Sequence, residues 1–340
     1  MAVYIILIFI AILIGMAISV SAFGTGGKRA KIFKDIYFSV EDVDGVGVLY
    51  TKTGEYSAIL AMQNPVQKFC ANIDSYYEYS SLMAAVMATL GDGYAIHKQD
   101  IFTKKKFKGE ADGNREFLSE SYFRYFEGRE HTDCTTFITI TQENKKSRLF
   151  SFDNRKWREF QVKINKVKDQ LRDRGIHSEF LNKAQATEYA DRYLAQNYTN
   201  IEVNNITMPV DLMSLVDSIP GAQSVVFNQV IFIPNQKQEM SKLAKKKNRH
   251  ASLPNPSNQI AVEDIKQVEE LIARENKQLV YCHFNLIITT AADADLQKCT
   301  NHLENAFGRI GIHISQRAYN QLELFVNSFP GNCYGLNAEY

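Results

Sequence analysis

Apolar residues alternate with polar ones along several stretches of this chain, and this alternation predicts β-strands. From Gly45 to Gln63 the alternation continues on both sides of Lys52-Thr53-Gly54, a pattern typical of two strands joined by a turn. Apolar or β-branched runs predict further strands over residues 94–102, 135–141, 201–208, 225–233 and 279–289.

Other stretches repeat their apolar residues every three or four positions, as an amphipathic helix does. The clearest covers residues 157–174, and its inward face would carry Phe160, Ile164, Val167 and Leu171. Further helices are predicted over residues 72–90, 114–128 and 187–197.

A strand, a helix and a short strand follow one another near the C-terminus. They cover Leu279–Thr289, Asp293–Phe307 and Ile312–Ser315, and we expect the two strands to share one sheet. Strands with interspersed helices over the rest of the chain predict an α+β fold with a mixed α/β body.

The N-terminal stretch Val3–Phe23 differs from the rest because its 21 residues contain no charge. As a helix it would be about 31 Å long, which matches the hydrocarbon core of a bilayer. We therefore predict a transmembrane anchor and hinge over residues 1–30, followed by a body over residues 31–340. The body would form one large domain, or two subdomains that divide near residues 145–155.

A cleaved signal peptide is the alternative interpretation of this stretch, with Val20-Ser21-Ala22 as the cleavage site. No Lys or Arg precedes the apolar run, however, and the run is longer than the apolar region of a typical signal peptide. The positive charges follow it, at Lys28, Arg29, Lys31 and Lys34. By the positive-inside rule they predict a single-pass protein whose C-terminal body is cytoplasmic.

Composition narrows the function only slightly. A net charge of +1 over 340 residues provides no global attraction to nucleic acid, so direct nucleic-acid binding is not expected. The five cysteines are an odd number and include no C-x-x-C pair. They are more typical of free thiols in a reducing compartment than of a disulfide framework.

Two short motifs resemble ligand-binding loops but lack required residues. The Gly-rich stretch before Lys28 has Ala22 in place of the first glycine of a P-loop, and Arg29 in place of its Ser or Thr. An EF-hand loop that began at Asp42 would place Val46 and Thr53 at ligand positions. We therefore expect neither nucleotide nor calcium there, and we interpret the acidic residues of 42–45 as turn formers.

Four zinc-type ligands occur close together in the C-terminal unit, at Cys282, His283, Cys299 and His302. Cys282 is predicted in mid-strand and Cys299 in mid-helix, whereas structural zinc usually takes its ligands from tight turns. We therefore expect no metal. Asp293 and Asp295 could form a pair of catalytic carboxylates, but Asp is common at the start of a helix, and the sequence offers no other candidate catalytic residues.

One basic run is the only candidate binding site that the sequence offers. It consists of Lys242, Lys245, Lys246, Lys247 and Arg249. Such a patch could contact the phosphates of lipid or nucleic acid, or a protein partner. The alternative is the exposed end of a helix followed by a solvated loop at 252–258, whose Ser, Pro and Asn content is typical of loops.

Several segments occur in an order that resembles a known family. They are His97-Lys98-Gln99-Asp100 with Phe102, Ser121–Phe126, Phe227–Phe232, His283-Phe284-Asn285-Leu286 and Phe329-Pro330-Gly331-Asn332. With the long helix and loop after Phe232, they resemble the N-terminal region of TraG-type conjugative-transposon ATPases, over roughly residues 35–335. These are the large ATPases that energise type IV DNA-transfer systems.

The resemblance implies a membrane-docking and assembly domain of a conjugation ATPase at the bacterial inner membrane. Its partners would be inner-membrane type IV secretion subunits and further copies of itself. Family members continue into a motor with Walker A and Walker B motifs, and neither motif occurs in this sequence. We therefore expect a truncated or split gene product without enzymatic activity or cofactor. A stand-alone membrane-anchored adaptor of a secretion complex is the alternative.

Overall fold

A computed structural model describes residues 36–65, 73–108, 117–143, 154–194, 201–206, 219–253, 255–291, 293–309, 311–316 and 321–336. Its strands are β1 (Tyr37–Val43), β2 (Val46–Thr51), β3 (Tyr56–Met62), β4 (Tyr94–Lys106), β5 (Glu130–Gln142), β6 (Ser178–Phe180), β7 (Ile201–Ile206), β8 (Ala222–Ile233), β9 (Tyr281–Thr290) and β10 (Ile314–Gln316). Its helices are α1 (Ile73–Leu90), α2 (Phe117–Phe126), α3 (Asn154–Asp173), α4 (Lys183–Leu194), α5 (Gln236–Ala251), α6 (Pro256–Glu275), α7 (Asp293–Gly308) and α8 (Gln321–Asn327), with a 3₁₀ turn at Cys333–Leu336.

One ten-stranded sheet runs through the described residues in the order β1-β2-β3-β5-β4-β8-β9-β7-β10, and β6 pairs with β3. Every strand pair that the structure describes is antiparallel. The α+β class predicted for the body is therefore confirmed, and the structure adds that its sheet is antiparallel. The hairpin predicted from Gly45 to Gln63 is confirmed, since Tyr50 pairs with Tyr56 across the turn.

Helices cover both faces of the sheet. On one face, α4, α8 and the 3₁₀ turn pack against β2, β3, β4, β8 and β9 in a core that includes Leu49, Ile59, Val230, Ile287, Leu324, Phe325 and Phe329. On the other face, α1 and α3 cover β2 to β5, while α7 covers β8 and β9. The inward residues predicted for the 157–174 helix, Phe160, Ile164, Val167 and Leu171, are all buried there.

The strand–helix–strand unit near the C-terminus is confirmed, because β9, α7 and β10 follow one another and both strands belong to the sheet. The two strands are not neighbours, since β7 lies between them and pairs antiparallel with each. Helix α7 buries Cys299, Leu303 and Phe307 against this half of the sheet.

The predicted fold class included an N-terminal transmembrane helix, and that part is corrected. Among the described residues no helix is both long enough and apolar enough to cross a bilayer. Helix α1 is long enough, but polar residues such as Asp74 and Glu78 interrupt its apolar positions. The stretch Val3–Phe23 and the predicted hinge up to residue 30 lie outside the described residues.

The described sheet takes strands from both sides of the predicted division near residues 145–155. Strand β5 ends at Gln142 and β8 begins at Ala222, yet β4 pairs with both of them. The division into two subdomains, the membrane attachment and the cytoplasmic location of the body stay predictions.

Candidate functional site: a buried polar network and a charged hairpin

Three amide side chains and a histidine meet at the centre of the sheet, on the face covered by α4 and α8. Gln99, Asn228 and Asn285 lie directly opposite one another on β4, β8 and β9. Asn228 Oδ1 accepts from Gln99 Nε2 at 2.9 Å and lies 3.0 Å from His97 Nε2. Asn228 Nδ2 donates to Asn285 Oδ1 at 2.8 Å. All four side chains are completely buried.

Tyr189 of α4 and Ser328, which directly follows α8, close this network over the sheet. Tyr189 donates its hydroxyl proton to Gln99 Oε1 at 2.7 Å. Gln99 Nε2 also donates to the backbone oxygen of Ser328 at 3.1 Å, and Asn285 Nδ2 lies 3.4 Å from Ser328 Oγ. Because these groups satisfy one another, the network fixes the position of α8 on the sheet.

The histidine of the network is neutral. A carboxamide oxygen only accepts, so His97 Nε2 carries the proton that binds Asn228 Oδ1. Burial lowers the pKa of His97 to about 4, against a raising effect of the Asn228 hydrogen bond and a further lowering by His283. The second ring nitrogen, Nδ1, is buried without a hydrogen-bond partner in the described structure.

The opposite face of β4 carries a buried ion pair. Lys98 Nζ lies 2.5 Å from Asp100 Oδ2, and Thr136 donates to Asp100 Oδ1 at 2.7 Å. Nearby, Asn64 Nδ2 lies 3.1 Å from Cys134 Sγ, and burial raises the pKa of this thiol to about 11. Cys134 is therefore a thiol and not a reactive thiolate at neutral pH.

Four of the five segments that carry the family resemblance lie at this network or directly beside it. His97 and Gln99 belong to the first, Asn228 to the third and Asn285 to the fourth. The last segment, Phe329–Asn332, directly follows Ser328, and its Pro330 oxygen accepts the hydroxyl proton of Tyr37 at 2.6 Å. The sequence shows the order of these segments along the chain but not that they contact one another. The polar residues within otherwise apolar strands were a signal that could have predicted the network.

The second feature is an αα-hairpin built from α5 and α6, which we call the charged hairpin. Asn235 caps α5 by accepting from Gln238 N at 3.1 Å, and Asn255 caps α6 by accepting from Asn258 N at 2.7 Å. Pro256 occupies the first turn of α6, where its missing N–H costs nothing. Helix α6 was not predicted from the sequence, although these capping residues and its apolar period were signals for it.

The two helices of the charged hairpin run antiparallel along a narrow seam. Lys247 Nζ lies 2.5 Å from Glu269 Oε2, and His250 Nδ1 lies 2.8 Å from Asn258 Oδ1. Ile265 is the only buried residue of the two helices in the described structure. The hairpin therefore extends into solvent and contributes little to the core of the protein.

The predicted basic site lies on α5, and the structure divides it. Lys242, Lys245, Lys246 and Arg249 are exposed, whereas Lys247 is half-buried in the seam with Glu269. The loop predicted at 252–258 is shorter in the structure, because α6 already begins at Pro256. The exposed members form a basic face, and whether this face binds a partner stays a prediction.

At the base of the charged hairpin, Glu239 joins α5 to β9. Its carboxylate accepts from Lys242 at 2.7 Å and from the hydroxyl of Tyr281. The hydrogen bond from Lys242 lowers the pKa of Glu239, and Glu239 in turn raises the pKa of Lys242 and of Tyr281. These residues border a cavity of about 360 Å³ that Lys246 and Val280 also line.

The zinc-type residues lie apart from one another. Cys282 is exposed on β9, whereas His283 points to the opposite face and lies 3.1 Å from Asn285 Nδ2. Cys299 is buried beneath α7, and its thiol lies 3.3 Å from the Pro220 oxygen. No group of three or more metal-ligating side chains forms among the described residues. The absence of bound zinc stays a prediction.

Comparison with known proteins does not identify a family for this chain. Neither a scan against protein-family models nor a search of curated proteins finds a match for this chain. The resemblance to the conjugation ATPases therefore rests on the segments quoted above.

Proposed function

We propose that this chain is a non-catalytic docking and assembly domain of a conjugative DNA-transfer ATPase of the type IV secretion class. Its partners are inner-membrane subunits of the secretion complex and further copies of the chain itself. The observation that carries the proposal is the charged hairpin, an exposed two-helix element that lies between β8 and β9 of the buried sheet.

The chemistry of the core favours a structural role over a catalytic one. The side chains of Gln99, Asn228 and Asn285 form hydrogen bonds with one another and with Ser328, the residue after α8. Lys98 and Asp100 form a buried ion pair on the opposite face of the sheet. An active site needs polar groups that can reach a substrate, and these groups are buried among themselves.

The surface of the charged hairpin supports docking. Its helices contain 16 and 20 residues, so they extend about 24 and 30 Å at 1.5 Å per residue. Large apolar side chains remain exposed on it at Leu253, Ile260, Val268 and Leu271, beside the basic face of α5. Exposed apolar residues next to charge are typical of protein-binding surfaces.

Expression of this chain beside an intact conjugation system tests the proposal. The chain should occupy docking sites and lower DNA transfer, and secretion subunits should co-purify with it. A variant in which Lys245, Lys246 and Arg249 are changed to glutamate should fold normally but interfere less. The matched control changes Lys237 and Lys266, which are exposed elsewhere on the same helices, to glutamate.

Unchanged transfer frequency together with no co-purifying subunit contradicts the docking role. If the triple variant lowers DNA transfer as much as the wild type does, the charged hairpin is not part of the docking surface. The DNA that follows the coding region gives independent information, because a reading frame with G-x-x-x-x-G-K-[ST] there supports a split ATPase.

A further inference from the structure

One side of the charged hairpin carries two parallel rows of different chemistry. On α5 the row is Lys242, Lys246 and Arg249, and on α6 it is Ile260, Asp264, Val268, Leu271 and Glu275. Each residue of an α-helix is rotated by about 100° about the helix axis from the residue before it. Measured about its own helix axis, each row lies about 60–140° before the residues that form the seam. Because the helices are antiparallel, the same sense of rotation places both rows on one side, which we call the front face.

The α6 row is apolar at its centre although it is exposed to solvent. Ile260 retains 62% of its accessible surface, Leu271 46% and Val268 36%. The seam does not need these residues, because Ile265 and its half-buried neighbours already fill it. Such a row beside the seam is typical of a helix that has a second packing partner.

The two helices also carry opposite charge. Helix α5 contains six Lys and Arg residues against one Glu, whereas α6 contains five Asp and Glu residues against two Lys and Arg. Lys247–Glu269 is the pair that joins the helices within one copy. Two further charges of the front face are also paired within one copy, Lys242 with Glu239 and Glu275 with Lys277. Lys246, Arg249 and Asp264 are the charges of the two rows that remain among the described residues, and the two cations are complementary to Asp264 of a second front face.

We propose that the front face binds the front face of a second copy of this chain. A two-fold axis parallel to the helices then places α5 of each copy on α6 of the other, in a four-helix bundle. Arg249 lies level with Asp264 of the second copy, and Lys246 covers Val268 with its aliphatic stem. This dimer rests on the assembly role proposed above and specifies one partner for it.

The front face is small for a protein–protein interface. Two helices of about 24 Å lying about 10 Å apart cover roughly 500 Å² per copy, or about 1,000 Å² in total. This area lies at the lower limit for a specific protein–protein interface. The dimer is therefore reversible, with a dissociation constant on the order of micromolar.

Sedimentation velocity of the full chain, from about 1 to 100 µM, tests the proposal. The wild type should convert from monomer to dimer within this range. Arg249→Asp places a carboxylate against Asp264 twice in each dimer, so it should weaken dimerisation about tenfold or more. Asp264→Arg should do the same with two facing cations. The control, Lys237→Glu with Lys266→Glu, changes exposed residues on the other side and should dimerise as the wild type does.

Mixing the two variants separates this mechanism from misfolding. In the mixed dimer each interface again pairs an acid with a base, so the mixture of Arg249→Asp with Asp264→Arg should dimerise as tightly as the wild type. A wild type that stays monomeric over the whole range overturns the proposal, even if it binds a polyanion such as heparin. Two variants that keep wild-type dimerisation, or a mixture that stays monomeric, also overturn it.

The proposed function and the dimer can fail separately. An Arg249→Asp protein that is monomeric yet still lowers DNA transfer leaves the docking role intact and shows that it does not need the dimer. A wild type that dimerises through the front face but neither lowers transfer nor retains secretion subunits leaves the dimer intact and contradicts the docking role.

Discussion

His97 shows how the polar network depends on the protonation state of one residue. The ring is completely buried and donates to Asn228 from Nε2. The groups around it in the network are the amides of Gln99 and Asn285 and the imidazole of His283, so the network supplies no carboxylate for a charged ring. Protonation of His97 would therefore place an uncompensated charge in the core.

The first prediction concerns the pH dependence of stability. The folded pKa of His97, about 4, lies below the value of about 6.5 expected in the unfolded chain. As pH falls from about 6.5 to 4, the unfolded state binds a proton first, and the free energy of unfolding should fall by about 3 kcal/mol. His97→Gln should remove this loss, as measured by denaturant unfolding at a series of pH values.

His177→Gln is the matched control for this measurement, because it replaces an exposed histidine that takes no part in the network, and this protein should keep the loss of stability that His97 causes. An equally steep loss of stability in the His97→Gln protein would show that another group titrates.

The second prediction concerns the central amide of the network. Asn228→Ala removes the partner of His97 Nε2, Gln99 Nε2 and Asn285 Oδ1 together. Buried groups that lose their partners cost about 1–3 kcal/mol each, so the free energy of unfolding should fall by about 3 kcal/mol or more. Gln229→Ala, at the half-buried neighbouring position on β8, should cost less than about 1 kcal/mol.

At the scale of elements, the segment after α8 is held against the hairpin of β2 and β3 by a close approach. Gly331 has φ +79°, and a Cβ atom there would lie 2.5 Å from Ser57 Oγ. Ser57 is buried and lies 2.9 Å from Thr141 Oγ1, so it cannot move without a loss of contact. Only glycine allows the chain to turn here and return to the sheet.

The third prediction follows from this approach. Gly331→Ala should destabilise the protein by about 3 kcal/mol, since both the backbone strain and the contact with Ser57 oppose the new methyl group. Gly45→Ala provides the control, because Gly45 has φ +80° but open space around its Cβ position. It should lose only about 1–2 kcal/mol to strain. Equal losses in the two proteins would show that the contact with Ser57 has no energetic effect.

At the scale of the whole molecule, the sheet joins residues that are far apart in the sequence. Strand β4 pairs with β5 and β8, and Tyr37 near the start of the described residues donates to Pro330 near their end. The charged hairpin follows β8 and precedes β9 along the chain, and it extends away from the core. In the part of the chain that the structure describes, this arrangement separates a structural core from a protruding, charged surface.

The fourth prediction is that the purified full chain does not hydrolyse ATP. Hydrolysis by a P-loop enzyme needs backbone amides around the phosphates, a Lys on the β- and γ-phosphates and a Ser or Thr on Mg²⁺. The sequence contains no stretch with this set of residues. A phosphate-release assay with Mg²⁺ should give the background rate, and turnover well above it in a preparation free of contaminating ATPases would contradict the non-catalytic role.

Local patterns by themselves determined where several elements lie along the chain. The inward face of α3 was predicted because its apolar residues recur every 3.6 positions. The hairpin of β2 and β3 and the unit of β9, α7 and β10 were predicted from apolar runs separated by turn residues, although the structure buries β2, β3 and β9 on both faces. The pattern could not specify which strands are neighbours, so it missed the antiparallel order of the sheet and the position of β7 between β9 and β10.

Only the tertiary structure decided the site. His97, Asn228 and Asn285 are separated by 131 and 57 positions along the chain, and no local periodicity relates residues so far apart. The basic run was visible in the sequence, but the pairing of Lys247 with Glu269 depends on α6 folding back on α5. Only when α6 folds back on α5 do the basic row of α5 and the apolar and acidic row of α6 lie on one face. Electrostatic complementarity with a second copy requires this arrangement.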